Sequence, residues 1–100
     1  MGHNNNRLVV QMKIKKKFTT IRKKAYIHDD EFYYDIIRKN IRSYRMKKSL
    51  TQQDLADMTD LSREYICDIE NFKRNKHPSI AVIGRIAEAL SIDISKLFHK

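Results

Sequence analysis

The chain has 100 residues and a mass of 12.0 kDa, enough for one small core drawn from the 41% of residues that are apolar, and too short for a large enzyme with a deep cleft. Its 21 Lys and Arg against 12 Asp and Glu leave a net charge of +9, which favours an anionic partner such as nucleic acid, acidic lipid or acidic protein. Cys67 is the only cysteine, which excludes an internal disulfide, and no apolar run of about 18 residues or signal-peptide core occurs, so a soluble cytoplasmic protein with no membrane partner is expected.

Residues 1–28 read as a basic N-terminal arm. Met1 to Asn6 is a polar leader, and Arg7 to His28 carries eight basic side chains. Val10, Met12 and Ile14 alternate with Gln11, Lys13 and Lys15 at a strand period, while Phe18, Ile21 and Ala25 share a helix face. Both periods are present, and the arm is assigned as flexible chain or a short strand.

Residues 29–100 read as one all-α domain. Gly2, Gly84 and Pro78 are the sole glycine and proline residues, and so few breakers favour helices joined by short turns. Asp29 or Asp30 caps a first helix in which Tyr33, Ile37, Ile41 and Tyr44 repeat at helical spacing to about Lys48. Thr51, with Asp54 three residues on, starts a short second helix in the manner of a capping box. Thr59-Asp60-Leu61 forms a turn, in which Asp60 tolerates a left-handed conformation better than most residues. Ser62 caps a third helix that runs through Tyr65, Ile66 and Ile69 to about Asn71.

A basic loop, Phe72 to Pro78, carries Lys73, Arg74 and Lys76. Pro78 and Ser79 open a fourth helix with Ile80, Ile83, Ile86, Ala87 and Leu90 on its apolar face, and a fifth short helix follows Asp93. Residues 1–30 hold eight basic and two acidic side chains, residues 31–50 six and two, and residues 51–100 seven and eight. Any anion-binding surface in the second half must therefore arise from placement, because net charge does not supply it.

About three residues separate the second and third helices, which is helix-turn-helix spacing. A short helix packed steeply against the next holds the N-terminal turn of that next helix outward, where it can enter a major groove. Residues 41–98 resemble the Cro/C1-type (XRE-like) DNA-binding domain of phage repressors and bacterial regulators. The resemblance is carried by Ile41-Arg42 and Arg45, Leu50-Thr51-Gln52-Gln53-Asp54-Leu55-Ala56, Leu61-Ser62-Arg63-Glu64-Tyr65-Ile66, Ile69-Glu70-Asn71, Pro78-Ser79 and Ile86-Ala87-Glu88-Ala89-Leu90. It implies a compact five-helix, lambda-repressor-like fold. The sequence departs from the family pattern in two places, with Asp60 at the turn glycine and Phe72 at the glycine after the Glu-Asn pair; both positions commonly need positive φ.

The resemblance also implies roles. Ser62, Arg63, Glu64 and Asp68 match positions that face bases, with Arg63 suited to a bidentate contact on guanine and Glu64 or Asp68 to a cytosine amine. Gln52, Gln53, Asn71, Lys73 and Arg74 match positions that meet phosphates. Arg45 and Glu70 match an ion pair tying the first helix to the third. One recognition helix reads too few base pairs for a useful specificity ratio, so a homodimer on a pseudo-palindromic operator is expected. With the sequence ending at Lys100 and no separate oligomerisation domain expected, Ile92, Ile94, Leu97 and Phe98 are the candidate dimer contacts, each equally suited to closing the core.

The function expected is a sequence-specific transcriptional regulator of double-stranded DNA, acting as a repressor or autoregulator. The alternatives are an antitoxin-like module that holds a protein partner through its arm, or a restriction-modification controller protein. The arm itself is a solvated tail, a DNA-gripping segment using Lys13, Lys15, Lys16, Lys17, Arg22, Lys23 and Lys24, or a partner-binding segment. His3, His28, His77 and His99 lack metal-ligand spacing, and Asp29-Asp30-Glu31 is more simply an acidic helix start than an acid-base cluster. With no phosphate-cradling glycine loop, nucleophile elbow or triad, neither catalysis, a cofactor nor a metal is expected, and Cys67 is a bystander.

Overall fold

The computed structural model describes residues 27–100, so all but the last two residues of the assigned arm lie outside the described residues. Four α-helices follow in order, α1 (Asp30–Lys47), α2 (Gln52–Thr59), α3 (Arg63–Glu70) and α4 (Ile80–Ala89), and then a 3-10 helix (Ile94–Phe98). The all-helical class holds among the described residues, but the expected fifth α-helix is a 3-10 turn. Lys96 N donates to the Asp93 carbonyl three residues back, and the Asn40 carboxamide on α1 draws off the Leu97 and His99 carbonyls at 2.9 and 2.6 Å. The three-residue backbone step is the 3-10 pattern, and the Asn40 bonds tie the end of the turn to α1.

Each α-helix starts on a side chain that accepts from an otherwise orphan amide. Asp29 accepts from Phe32 N, Ser62 from Tyr65 N and Ser79 from Val82 N. At α2 the cap is reciprocal: Thr51 Oγ1 accepts from Asp54 N at 3.0 Å, and Asp54 Oδ2 accepts from Thr51 N at 2.8 Å. The backbone amide of Thr51 holds the Asp54 carboxyl below the usual carboxylate range, and the amide of Ser95 does the same for Asp93.

Three helices end the same way without a glycine. Ser49, Asp60 and Ser91 adopt left-handed φ values of 57°, 56° and 56°. The residue after each turns back and donates five residues up the chain: Leu50 to Arg45, Leu61 to Ala56 and Ile92 to Ala87, at 3.0 to 3.1 Å. The side chains of Leu50, Leu61 and Ile92 then fold onto the core, completing the hydrophobic half of a Schellman closure. The left-handed step expected at Phe72 is absent; the chain leaves α3 through an extended Asn71 (φ −91°), and the left-handed residue of that loop is Asn75.

The core is drawn from every element: Ile37 and Ile41 of α1, Leu55 and Ala56 of α2, Ile66 and Ile69 of α3, Ile83, Ile86 and Ala87 of α4, then Leu90 and Leu97. Two expected core positions turn outward. Tyr34 replaces Tyr33 on the buried stripe of α1, because 34, 37, 41 and 44 follow the helix pitch as well as 33 does. Ile80 is 65% exposed because Pro78, wholly buried, already fills the inner side of the α4 start.

Two outcomes test these local rules. Glycine at Ser49 or Ser91 should each raise stability by about 1 kcal/mol in thermal melts, since it removes the Cβ clash of a left-handed residue. Depressed Asp54 and Asp93 pKa values mean that their contribution is full above the ordinary carboxylate range and is lost as pH falls through the folded values. Urea unfolding of Asp54→Asn and Asp93→Asn should accordingly show lower stability at neutral pH and a flatter decline below about pH 4.

Candidate nucleic-acid interface

Two arginines on the buried stripe of α1 hold α3 in place. Arg45 Nε and Nη2 donate to Glu70 Oε2 and Oε1 at 2.7 and 2.9 Å, a bidentate pair whose side chains are 11% and 3% exposed. Hydrogen bonding to Glu70, opposed by burial and helped by the carboxylate's charge, raises the guanidinium's pKa from its usual value. Arg45 Nη1 also donates to the Leu50 carbonyl at 2.7 Å, and Gln52 Nε2 donates to Glu70 Oε1 at 3.3 Å. One buried cluster thus joins the end of α1, the α1–α2 turn, the start of α2 and the end of α3.

Arg38 is the second, a residue that helical periodicity alone does not single out. Its guanidinium is 1% exposed and uses four of its five N–H groups: Nε on Asp35 Oδ1 (2.7 Å), Nη1 on the Ile69 and Lys76 carbonyls (3.3 and 3.1 Å), and Nη2 on Glu31 Oε2 (2.9 Å). The signal was its position, four residues after Tyr34 and three before Ile41, on a face otherwise read as apolar. A charge at such a place demands partners, and Glu31 and Asp35 stand one or two turns earlier on the same face.

The α2–α3 pair forms the outward surface. Thr59 is buried with its hydroxyl donating to Leu55 and Ala56 carbonyls, Arg85 of α4 donates to the Thr59 carbonyl at 2.9 Å, and the left-handed Asp60 reverses the chain into Ser62. Ile66 and Ile69 then face the core while Ser62, Arg63 and Glu64 at the start of α3 are exposed. An open cleft of about 520 Å³ runs beside them, lined by Arg45, Met46, Leu50, Thr51, Gln52, Gln53 and Arg63.

The candidate residues do not all stand equally free. Arg63 and Glu64 are exposed; Ser62 Oγ accepts from Tyr65 N as the helix cap. Gln53 donates to Asp57 at 2.8 Å on the exposed side of α2, whereas Gln52 is tied to Glu70. Asp68 lies 3.6 Å from Arg74 Nε, which brings the outer face of α3 to the basic loop. Asn71 Oδ1 accepts from Lys73 N at 2.9 Å and so shapes the loop's first turn. Among the candidate dimer contacts, Leu97 is wholly buried and belongs to this chain's own core, with Ile92 and Ile94 packed against it; Phe98 remains 46% exposed.

Comparison with known proteins places this arrangement. The helix-turn-helix family pattern matches residues 41–97. The control protein C.SmaI of Serratia marcescens is 38% identical over 66 residues, 66% of this chain and 76% of that protein. The immunity repressor protein of Bacillus phage phi105 is 36% identical over 61 residues, 61% of this chain and 41% of the repressor, so the match spans only part of that protein. Among solved structures, the restriction-modification controller protein C.AhdI of Aeromonas hydrophila superposes with a TM-score of 0.60 at 29% identity, covering 65% of this chain and 96% of that one. A hypothetical transcription factor from Neisseria, NHTF, gives a TM-score of 0.63 at 25% identity over 71% and 80% of the two chains.

The buried pair sets the stability of this surface. Glu70→Ala should lower unfolding free energy by about 3–5 kcal/mol in urea titrations, since it strands the Arg45 charge in the interior. An unchanged urea midpoint would contradict the structural role given to the pair.

Proposed function

The chain belongs to the Cro/C1-type helix-turn-helix family of DNA-binding transcriptional regulators, and from that membership we propose that it acts as a repressor or autoregulator, bound as a homodimer to a pseudo-palindromic operator. The observation that carries the reading is the exposed first turn of α3, with Arg63 beside the Gln52–Gln53 start of α2 and the Lys73–Arg74 loop beyond its far end. In this reading Ser62, Arg63, Glu64 and Asp68 face base edges. Gln52, Gln53, Asn71, Lys73 and Arg74 meet the phosphates. Gln52 approaches a phosphate with its backbone amide at the α2 N-terminus while its carboxamide stays on Glu70.

Dimerisation supplies the second half-site. Phe98 and the outer edges of Ile92 and Ile94 form the contact, with Leu97 confined to the monomer core. The relatives named above are regulators by name and not enzymes, and the chain has no catalytic role in this account. Among the described residues no helix is long and apolar enough to cross a membrane. A regulator of this family works in the cytoplasm in this reading. A second reading is favoured by the likeness to two controller proteins, C.SmaI and C.AhdI: the chain times the expression of neighbouring restriction and modification genes. Such genes beside its own coding sequence would separate this role from that of a phage-type repressor.

Selection of bound duplexes from a random library, at low and near-physiological salt, tests the proposal. The full-length chain should enrich a spaced inverted repeat that survives the higher salt. Arg63→Ala should lose about 1–3 kcal/mol of discrimination at one position in each half-site. Enrichment of no motif, with binding that vanishes as salt rises, would reduce the interaction to charge alone.

A further inference from the structure

The loop between α3 and α4 carries three basic side chains and is fastened on its inner side by α1. Arg38 Nη1 donates to the Lys76 carbonyl, Tyr34 Oη donates to the Pro78 carbonyl at 3.3 Å, and the Phe72 ring lies with its centroid 6.0 Å from the Arg38 guanidinium carbon. His77 stacks on Tyr34 with ring centroids 4.2 Å apart, and its Nε2 is bonded to Glu31 Oε1. The other Glu31 oxygen accepts from Arg38, and also from the Asn75 carboxamide when that amide's nitrogen faces Glu31 and Phe72. Glu31 therefore joins the two halves of the loop to the one buried arginine beneath it. On the outer side Lys73 and Arg74 are exposed, Lys76 Nζ lies 6.0 Å from the Tyr65 ring centroid on α3, and Arg74 reaches toward Asp68.

A loop of this kind, held by hydrogen bonds from one side and charged on the other, presents its cations without first having to order itself. Ordering a loop on binding costs free energy that a prefastened loop has already spent in folding. We propose that Glu31, Tyr34 and Arg38 of α1 are positioning residues for DNA binding, clamping the Phe72–Pro78 loop so that Lys73 and Arg74 form a preset phosphate grip beside the recognition helix. None of the three touches the nucleic acid in this account; they act through the loop. The proposal rests on the DNA-binding reading above and adds to it a cause for where the phosphate contacts fall.

The test is the salt dependence of binding to a duplex recovered from the random library, measured by fluorescence anisotropy for the full chain. The slope of log K against log salt counts phosphate contacts, and a role confined to stability lowers the melting temperature without changing it. Lys73→Ala with Arg74→Ala should reduce the slope by about two. Glu31→Gln should reduce it by about one or more, and should add nothing when combined with the double variant. Tyr34→Phe, which removes only the bond to Pro78, should shift the slope in the same direction and guards against a Glu31 variant that fails to fold. Unchanged slopes in Glu31→Gln and Tyr34→Phe, or a Glu31→Gln loss that adds in full to that of the double variant, would overturn the clamp while leaving the DNA-binding reading intact. A double variant with the wild-type slope would overturn it as well, by removing the grip. A full chain that binds no duplex at any salt would take down both readings together.

Discussion

The buried bidentate pair between Arg45 and Glu70 is the constraint on which the rest of the molecule depends. It joins the last turn of α1 to the last residue of α3, and through Leu50 and Gln52 it also sets the turn into α2. A hydrophobic contact at the same place would hold the helices together without fixing their rotation, whereas two parallel N–H···O bonds are satisfied at one orientation only. The exposed turn of α3 is aimed by that orientation. Desolvating both charges makes such a pair a poor source of net stability, so its value lies in what it positions.

Arg38 extends the same logic along α1. The two arginines stand seven residues apart, two helical turns, and between them Ile41 packs into the core. Arg45 holds the entry to the helix-turn-helix pair and Arg38 holds its exit, since the Ile69 and Lys76 carbonyls both converge on the Arg38 Nη1 group. α1 thus does more than cover the core. It is the scaffold against which the surface proposed to face DNA is set at both ends.

Much of this was legible in the sequence, for identifiable reasons. Helix starts could be read because each depends on one short-range side chain, Asp29, Thr51, Ser62 or Ser79, and the capping geometry is local. The left-handed step at Asp60 is legible because aspartate tolerates that conformation better than most residues and stands in a short turn between two close helices. The corresponding steps at Ser49 and Ser91 were not read, because serine carries no conformational signature of its own and the returning Leu50 and Ile92 matter only once the core exists. Tyr33 and Tyr34 are indistinguishable by period alone, and packing chooses between them. Arg38 is only half legible: Glu31 and Asp35 are near it in sequence, but the two backbone carbonyls that bury it, from α3 and the following loop, lie 31 and 38 residues away. The anchoring of residues 94–98 on α1 likewise depends on Asn40, more than 50 residues earlier. Base and phosphate roles were named by resemblance, and the structure adds which of those side chains are already engaged.

The central claim is that α1 sets one face of the molecule, built from the starts of α2 and α3 and from the basic loop, against DNA. Its most direct test is titration of the isotopically labelled full chain with a library-selected duplex, followed by amide chemical shifts. The largest changes should fall at Thr51–Gln53, Ser62–Asp68 and Lys73–Lys76. Changes concentrated instead on α4 and residues 94–98, with the α3 amides unmoved, would contradict it.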